Sequence, residues 1–496
     1  MSGLKVSLPT EIYSVASVRE IDRAAIDAGN ISGYTLMTRA GQFAFAVVRQ
    51  KYPDATRWQV VCGSGNNGGD GYVIARMAID AGISVSVIAL MPVEDLQGDA
   101  ATAAMDFAVA GGTVVEFAGS LDSSADLLID ALLGTGLTRD VTGAYKVAIE
   151  AMNLHAAPVI AMDVPSGLDA DTGQVMGFAV RATDTVTFVG QTPGLTVGDA
   201  AAYVGDVSFS DLDIPDAIHS REMPVMRRID TDLIAQHLPR RSRTSHKGDF
   251  GHVLVVGGAP GMPGAIRICG EAALRAGAGV VTVATHPTHS QMICTERPEL
   301  MCLGVESEAD IYGLIEKADV IAIGPGLGTD EWSRTLLDTV LTCELPLVVD
   351  ADALNLLADA GASRENWVLT PHPGEAGRLL ATSTAAIQED RLGSLRAMTD
   401  RYQGVVVLKG AGTLVSSAAG APWVCSAGNP GMAAPGMGDA LTGILAALCA
   451  QGLSLEMAAI VGVQIHAEAG DAAAAQGERG LLVTDLLAAL RSIVNP

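Results

Sequence analysis

CGSGNNGGDGYVIAR, residues 62–76, carries five glycines, two adjacent asparagines and one aspartate in its first ten positions. It follows the apolar run WQVVC (58–62) and leads into a helix-like pattern expected to begin near Asp70. Glycines at a strand-to-helix turn let backbone N–H groups approach a phosphate or other anion, which the helix N-terminus also favours. GSGNNG spells G-x-G-x-x-G, but the asparagine pair and the following GDG fit the ribose logic of the dinucleotide fingerprint poorly. A tight turn with Asp70 as helix N-cap satisfies the same letters.

Outward from this stretch the same rhythm recurs. Apolar runs VSVIAL, DLLIDALLG, PVIAMDV and DTVTFVG follow, separated by helix-length stretches. After residue 250 the series restarts with HVLVVGG, VVTVAT, ADVIAIG, PLVVDAD, WVLTP and GVVVLKG. Each series is the pattern of a parallel sheet with crossover helices. Between them, residues 211–250 break the alternation and hold the chain's one basic cluster, PRRSRTSHKG, expected to be a solvated turn. His246 and Lys247 stand just before HVLVVGG, within expected reach of a ligand. Two α/β domains are expected, residues 1–225 and 226–496. A chain of 496 residues also exceeds what one core usually supports.

A net charge of −25 argues against non-specific nucleic-acid or anionic-membrane binding. MSGLKVSLPTEIYSV has no apolar core of signal-peptide length, and the uncharged run Ala411–Gly438 is broken by proline and glycine. A soluble, cytoplasmic protein is the expectation, with no membrane partner. The seven cysteines are scattered without CxxC or Cys/His pairing, so they read as small core residues.

In the first half, DLLIDALLGTGLTRD presents Asp130 and then Gly134 and Gly136, and PVIAMDVPSGLDADTG presents Asp163 and Ser166. The carboxyl ends of strands in a doubly wound sheet converge on one crevice, so Asn67, Asp130, Asp163 and Ser166 are expected to face one ligand. Such a donor set suits a monovalent or hard cation as well as acid–base work.

GSGNNGGDG, DALLGTG and DVPSGLDADTG together resemble the epimerase domain of the NAD(P)H-hydrate repair enzymes, over roughly residues 10–215. The resemblance implies a Rossmann-like domain in which Asn66, Asn67, Gly68, Gly69 and Asp70, with Gly134, Thr135, Gly136, Leu137, Thr138, Arg139 and Asp140, hold the hydrated dinucleotide. It further implies potassium at Asn67, Asp130 and Ser166, and Asp163 as a catalytic residue at the reacting ring.

In the second half, glycines 257, 258, 261 and 264 follow a strand, and IAIGPGLG repeats the device at 324, 326 and 328. TPHPGE, VVVLKGAGT and GNPGMAAPGMGDALTG come next, the last placing Asp439 at the start of an apolar helix. Aspartate there is ordinarily a cap. Flanked by glycines, it can also accept a hydroxyl proton while N–H donors hold a phosphoryl oxygen. The lysine loop GxxxxGK[ST] is absent, which excludes a P-loop enzyme. SHKGDFG, GGAPGMPGA, DADALN, TPHPGE, LKGAGT and GNPGMAAPGMGD resemble the ADP- or ATP-dependent NAD(P)H-hydrate dehydratase domain, over roughly residues 226–496. That family has a ribokinase-like fold. The resemblance implies that Ala265, Gly326, His372 and Asp439 contact the hydrate, that Lys409, Gly410, Ala411, Gly412, Thr413 and Gly438 hold the adenine nucleotide, and that Asp439 is the catalytic base. ADP is favoured over ATP, with Mg²⁺ assisting. Pro435 departs from the family's usual glycine and removes one N–H donor.

The expected protein is therefore a homo-oligomeric, bifunctional metabolite-repair enzyme acting on hydrated NADH and NADPH. Its rival is a ribokinase-like small-molecule kinase whose first domain is a non-catalytic scaffold.

Overall fold

The computed structural model describes residues 8–29 and 31–495, so the first seven residues of the stretch read for a leader lie outside it. The chain divides into two compact units at Arg227/Arg228.

In the first unit a two-residue strand, β1 (Glu11–Ile12), pairs antiparallel with Met226 and Arg227. The main sheet comprises β2 (Arg57–Cys62), β3 (Ser84–Ala89), β4 (Thr113–Glu116), β5 (Leu127–Ala131), β6 (Val159–Met162), β7 (Asp184–Phe188) and β8 (Asp206–Ser210). All seven are parallel, in the order β4-β3-β2-β5-β6-β7-β8. The winding reverses between β2 and β5, the Rossmann-like arrangement that opens a crevice at the carboxyl ends of those two strands. Burial on both faces explains why β5 is apolar except at Asp130: Leu127, Ile129 and Ala131 enter one core, and Leu128, with Leu132 just after the strand, enters the other.

The second unit's sheet contains β10 (His252–Gly257), β11 (Val280–Thr285), β12 (Met301–Gly304), β13 (Val320–Ile323), β14 (Leu347–Val349), β15 (Trp367–Leu369) and β16 (Val405–Leu408), all parallel. β17 (Thr413–Ser416) and β18 (Trp423–Cys425) extend it antiparallel beyond β16. The order β12-β11-β10-β13-β14-β15-β16 reverses between β10 and β13, making a second crevice. Helices Pro263–Arg275 and Met437–Ala450 pack closely on one another, with Gly443 against the Cys269 carbonyl.

Each apolar run named from the sequence is a strand. Of the strands that gave no such run, β4, β8 and β12 lie at sheet edges, and β17 and β18 are short antiparallel additions beyond β16. At an edge a half-exposed face needs no continuous apolar sequence: β4 and β12 are mostly exposed. Residues 211–250 hold more structure than their broken pattern suggests, with β9 (Met226–Arg228) and short helices at Asp216–His219 and Asp232–His237. The basic cluster is exposed, and Arg241 is spent on structure: it stacks 3.5 Å from the Phe250 ring and donates to Gln451 Oε1 at 2.8 Å. His246 and Lys247 precede the amino end of β10, whereas the crevice opens at its carboxyl end, so the expected ligand reach fails on topology. All seven cysteines are free, and among the described residues no helix is long and apolar enough to cross a membrane.

Candidate functional site

The turn after β2 begins at Gly63, where any Cβ would collide with the Leu132 carbonyl; only glycine lets the two crevice loops lie so close. The helix then starts at Asn66 with Gly65 as N-cap, and Asp70 falls inside it. Asp70 is therefore no cap. The helix begins a turn earlier than the sequence pattern suggests, because asparagine and glycine N–H groups can stay open at a ligand-facing helix start.

A cavity of about 710 Å³ opens beside this turn. Asn66, Asn67, Asp70, Gly134, Thr135, Gly136, Leu137, Thr138, Arg139 and Asp163 line it, together with Arg19, Asp22 and Asp99, which the motifs had not indicated. Gly68 and Gly69 do not line it. They are buried against Gly63 and against Met37 and Ala100, and the Gly69 N–H already bonds the Gly65 carbonyl, so their part is close packing. Asp140 is exposed and also lies outside the lining.

Asp163 follows β6 in a left-handed conformation, φ 67°, and its Oδ2 accepts the Thr135 N–H at 3.1 Å. A Cβ on Gly134 would stand 2.8 Å from that oxygen and 3.4 Å from the Asn67 Cβ, so the three residues meet at one point. Strain held at such a place is a mark of function. Burial, and then the facing charge of Asp163 followed by Asp22, pushes the Asp70 carboxyl well above its ordinary range. Burial likewise raises Asp163. Arg19 joins the set by donating to the Thr135 carbonyl at 3.1 Å.

Beneath the cavity, Asp130 is fully buried and accepts from Ser166 Oγ at 2.6 Å, Ser166 N at 2.8 Å and Leu132 N at 3.2 Å. Burial pushes it up to about 6 against the lowering effect of those bonds. Asn67 is 7% exposed, and neither its side-chain oxygen nor its nitrogen has a protein partner. A buried amide left unpaired costs of order 1–3 kcal/mol unless something bonds it. This orphaned oxygen, with a carboxylate and a hydroxyl, is a donor set that fits a hard monovalent cation.

In the second unit the helix Met437–Ala450 starts after Gly436, which takes a left-handed conformation, φ 89°. Asp439 is its third residue. Burial first, then the Asp350 charge, pushes the Asp439 carboxyl up to about 6. Lys409 Nζ lies 2.7 Å from Asp350 Oδ1 and 3.7 Å from Glu375 Oε2, and a Cβ on Gly438 would stand 3.2 Å from it. Asp350 also accepts from Thr442 Oγ1 at 2.7 Å. Although burial opposes it, Lys409 and these bonds hold Asp350 below its ordinary carboxyl range. The turn following Asp350 is strained, with Ala351 at φ 50°. Asp350 was legible only as part of DADALN; a carboxylate ending the apolar strand LVV was the available signal.

Gly326 packs on Met262 and Ala265, with a would-be Cβ 3.2 Å from that of Ala265. His372 caps the helix Pro373–Leu380: its Nδ1 accepts from Gly374 N at 2.9 Å, and its own N–H donates to Glu375 at 2.7 Å. Its ring is half exposed, with Nε2 3.4 Å from Glu375 Oε1. Gly410 and Ala411 are exposed at the tip of the loop between β16 and β17, with Gly412 and Thr413 half-buried behind them.

Comparison with known proteins agrees with both halves. Residues 33–194 match the model of the YjeF-related protein N-terminus, and residues 253–492 match that of NAD(P)H-hydrate dehydratase. The bifunctional NAD(P)H-hydrate repair enzyme Nnr of Coxiella burnetii is 46% identical over 98% of this chain and 100% of its own length. The enzyme of the same name from Escherichia coli is 44% identical, covering 99% of this chain and 95% of its own. A ribokinase-like superfamily protein of Enterococcus faecalis, of known structure, superposes with a TM-score of 0.51 at 32% identity, covering 55% of this chain and 96% of its own.

Proposed function

Since the chain belongs to the bifunctional NAD(P)H-hydrate repair enzymes, we propose that residues 1–225 interconvert the R and S forms of hydrated NADH and NADPH, and that residues 226–496 dehydrate the S form with ADP. The observation that carries the second half is Asp439 at an open helix start beside Lys409. Here Asp439 takes the proton of the ring hydroxyl as its oxygen attacks the terminal phosphorus of ADP, releasing AMP. Phosphate then leaves with the C–O bonding pair, the ring nitrogen lone pair supporting the cation, and the adjacent ring carbon gives its proton to solvent as the double bond reforms. Lys409 and the N–H groups at the helix start neutralise the phosphoryl oxygens.

In the first unit Asp163 is placed to exchange protons at the reacting ring, with Asp70 as its neighbour. Burial and mutual repulsion keep both carboxyls easier to protonate than usual. Asn67, Asp130 and Ser166 would hold potassium, whose charge would offset anionic substrate groups. Among the described residues no group of three or more His, Cys, Asp or Glu is arranged for a metal ion, so Mg²⁺ would arrive with the nucleotide phosphates and its own waters. A homo-oligomer acting in the cytoplasm completes the reading.

The small-molecule kinase with an idle first domain is not favoured, because the curated relatives match both halves and the first crevice keeps Asn67, Asp130 and Asp163. The test is to incubate the full chain with hydrated NADH and either ADP or ATP and follow the return of dihydropyridine absorbance. Recovery of the S form with ADP, and of both forms in potassium, is expected. No recovery with either nucleotide overturns the reading.

A further inference from the structure

Arg391 opens the helix Arg391–Tyr402 and is 4% exposed. No carboxylate pairs with it among the described residues. Its Nη1 donates to Gln388 Oε1 at 2.7 Å, and its Nη2 is shared among the carbonyls of Leu408, Lys409 and Gly412, each at 3.3 Å. Its Nε has no partner at all. A full charge buried among neutral oxygens alone is an expensive arrangement, normally relieved by an opposite charge. Burial draws the guanidinium down to about 10, which still leaves it protonated at neutral pH.

The loop above it is shaped around this charge. Gly410 adopts φ 135°, and a Cβ there would stand 3.1 Å from Arg391 Nη1, so the guanidinium lies directly under the loop. The Lys409 and Gly412 carbonyls turn inward to Arg391. The Gly410 N–H points away from Arg391, opposite the Lys409 carbonyl of the same peptide, and the N–H groups of Gly410, Ala411 and Gly412 find no protein acceptor among the described residues. Inward carbonyls with free outward N–H groups make a nest for an anion.

We propose that Arg391 is a positioning residue for the nucleotide phosphates: it locks the 409–413 loop with its N–H donors outward and supplies the buried positive charge that the bound phosphate answers. This rests on the reading of residues 409–413 as the nucleotide loop. The charge acts through the loop and does not touch the ring being dehydrated, so it should govern nucleotide binding and leave the hydrate and the first unit alone.

The test compares full-length wild type, Arg391→Met, Arg391→Gln and Arg391→Lys by calorimetric titration with ADP and with adenosine, and by steady-state kinetics. Loss of the charge should weaken ADP by about tenfold or more, the effect of one charge-assisted contact. Adenosine, which carries no phosphate, should change by less than about twofold on the same scale. KM for ADP should rise while KM for the hydrate holds, Arg391→Lys should recover part of the loss, and epimerisation should be unchanged. Arg391→Gln keeps hydrogen-bonding capacity without charge and should behave as Arg391→Met does. ADP and adenosine weakening alike would show mere collapse of the loop and overturn the proposal, as would unchanged ADP affinity in both uncharged variants. Ala411→Glu in an otherwise wild-type chain separates the underlying reading. If that exposed acid leaves ADP binding intact, the loop is not the nucleotide site and both statements fall.

Discussion

The two crevices occupy the same place in two sheets, the reversal of strand order, but they handle charge in opposite ways. The first gathers Asp22, Asp70, Asp99 and Asp163 around one cavity, and its buried carboxyls are raised. The second sets Lys409 between Asp350 and Glu375, which holds Asp350 low while Asp439 is raised, and buries Arg391 under the adjoining loop. Carboxyls that hold protons easily suit proton exchange on a substrate ring. Fixed cations beside open N–H groups suit a phosphoryl group in transfer. One topology thus serves two chemistries through the residues that end its strands.

The contrast can be broken at several points. The largest effect is expected from Asp439→Asn, which should lower dehydration by ~10²–10⁴-fold through loss of the general base. Epimerisation should be untouched; near-normal dehydratase turnover would remove Asp439 from its role. Asp350→Ala leaves the Lys409 ammonium largely buried with only Glu375 at 3.7 Å. A melt should show destabilisation of about 3 kcal/mol, the lower end for a broken buried pair, together with weakened ADP binding. An unchanged melting temperature would make the ion pair incidental.

Acidity offers a milder test. With Asp439 titrating near 6, its basic form is present above that value and disappears below it. The dehydration rate should therefore fall about tenfold per pH unit below 6, and a flat profile from pH 7 to 5 contradicts the assignment. In the first crevice, Asp130→Asn keeps shape but removes the only formal charge among the three proposed cation ligands. The epimerase rate in potassium should then equal that in a bulky organic cation, whereas the wild type should distinguish the two.

The smallest effect concerns Pro435, exposed just before the left-handed Gly436. Pro435→Gly should lower stability by ~0.4–1 kcal/mol through added freedom of the unfolded chain, with turnover little changed, because the N–H groups from Gly436 to Asp439 remain at the helix start. A tenfold rise in turnover would show that the missing donor mattered.

Much of this was legible in the letters. Strands buried on both faces must be largely apolar, so WQVVC, DLLIDALLG and HVLVVGG declared themselves, and the glycines ending them marked the crevices. Edge strands such as β4 and β12 were not legible, since exposure on one side relaxes the demand for apolar residues. Asp70 looks like a cap in the letters, but the helix starts at Asn66 after Gly65 with no side-chain cap, and a glycine start carries no such signal in a linear pattern.

By itself, the sequence determined two α/β sheets, their glycine turns and the motif residues Asn67, Asp130, Asp163, Lys409 and Asp439. Local rules suffice for these, since each turn or run is specified within a few residues. Only the tertiary structure decided which groups meet: Asn67 unpaired beside Gly134 and Asp163, Arg19 reaching Thr135 from 116 residues away, Lys409 spanning 59 residues to Asp350, and Arg391 rising under a loop that begins 18 residues later. Charge and desolvation act through space, and the spacing of letters along a chain carries no distance through space until the sheets have closed.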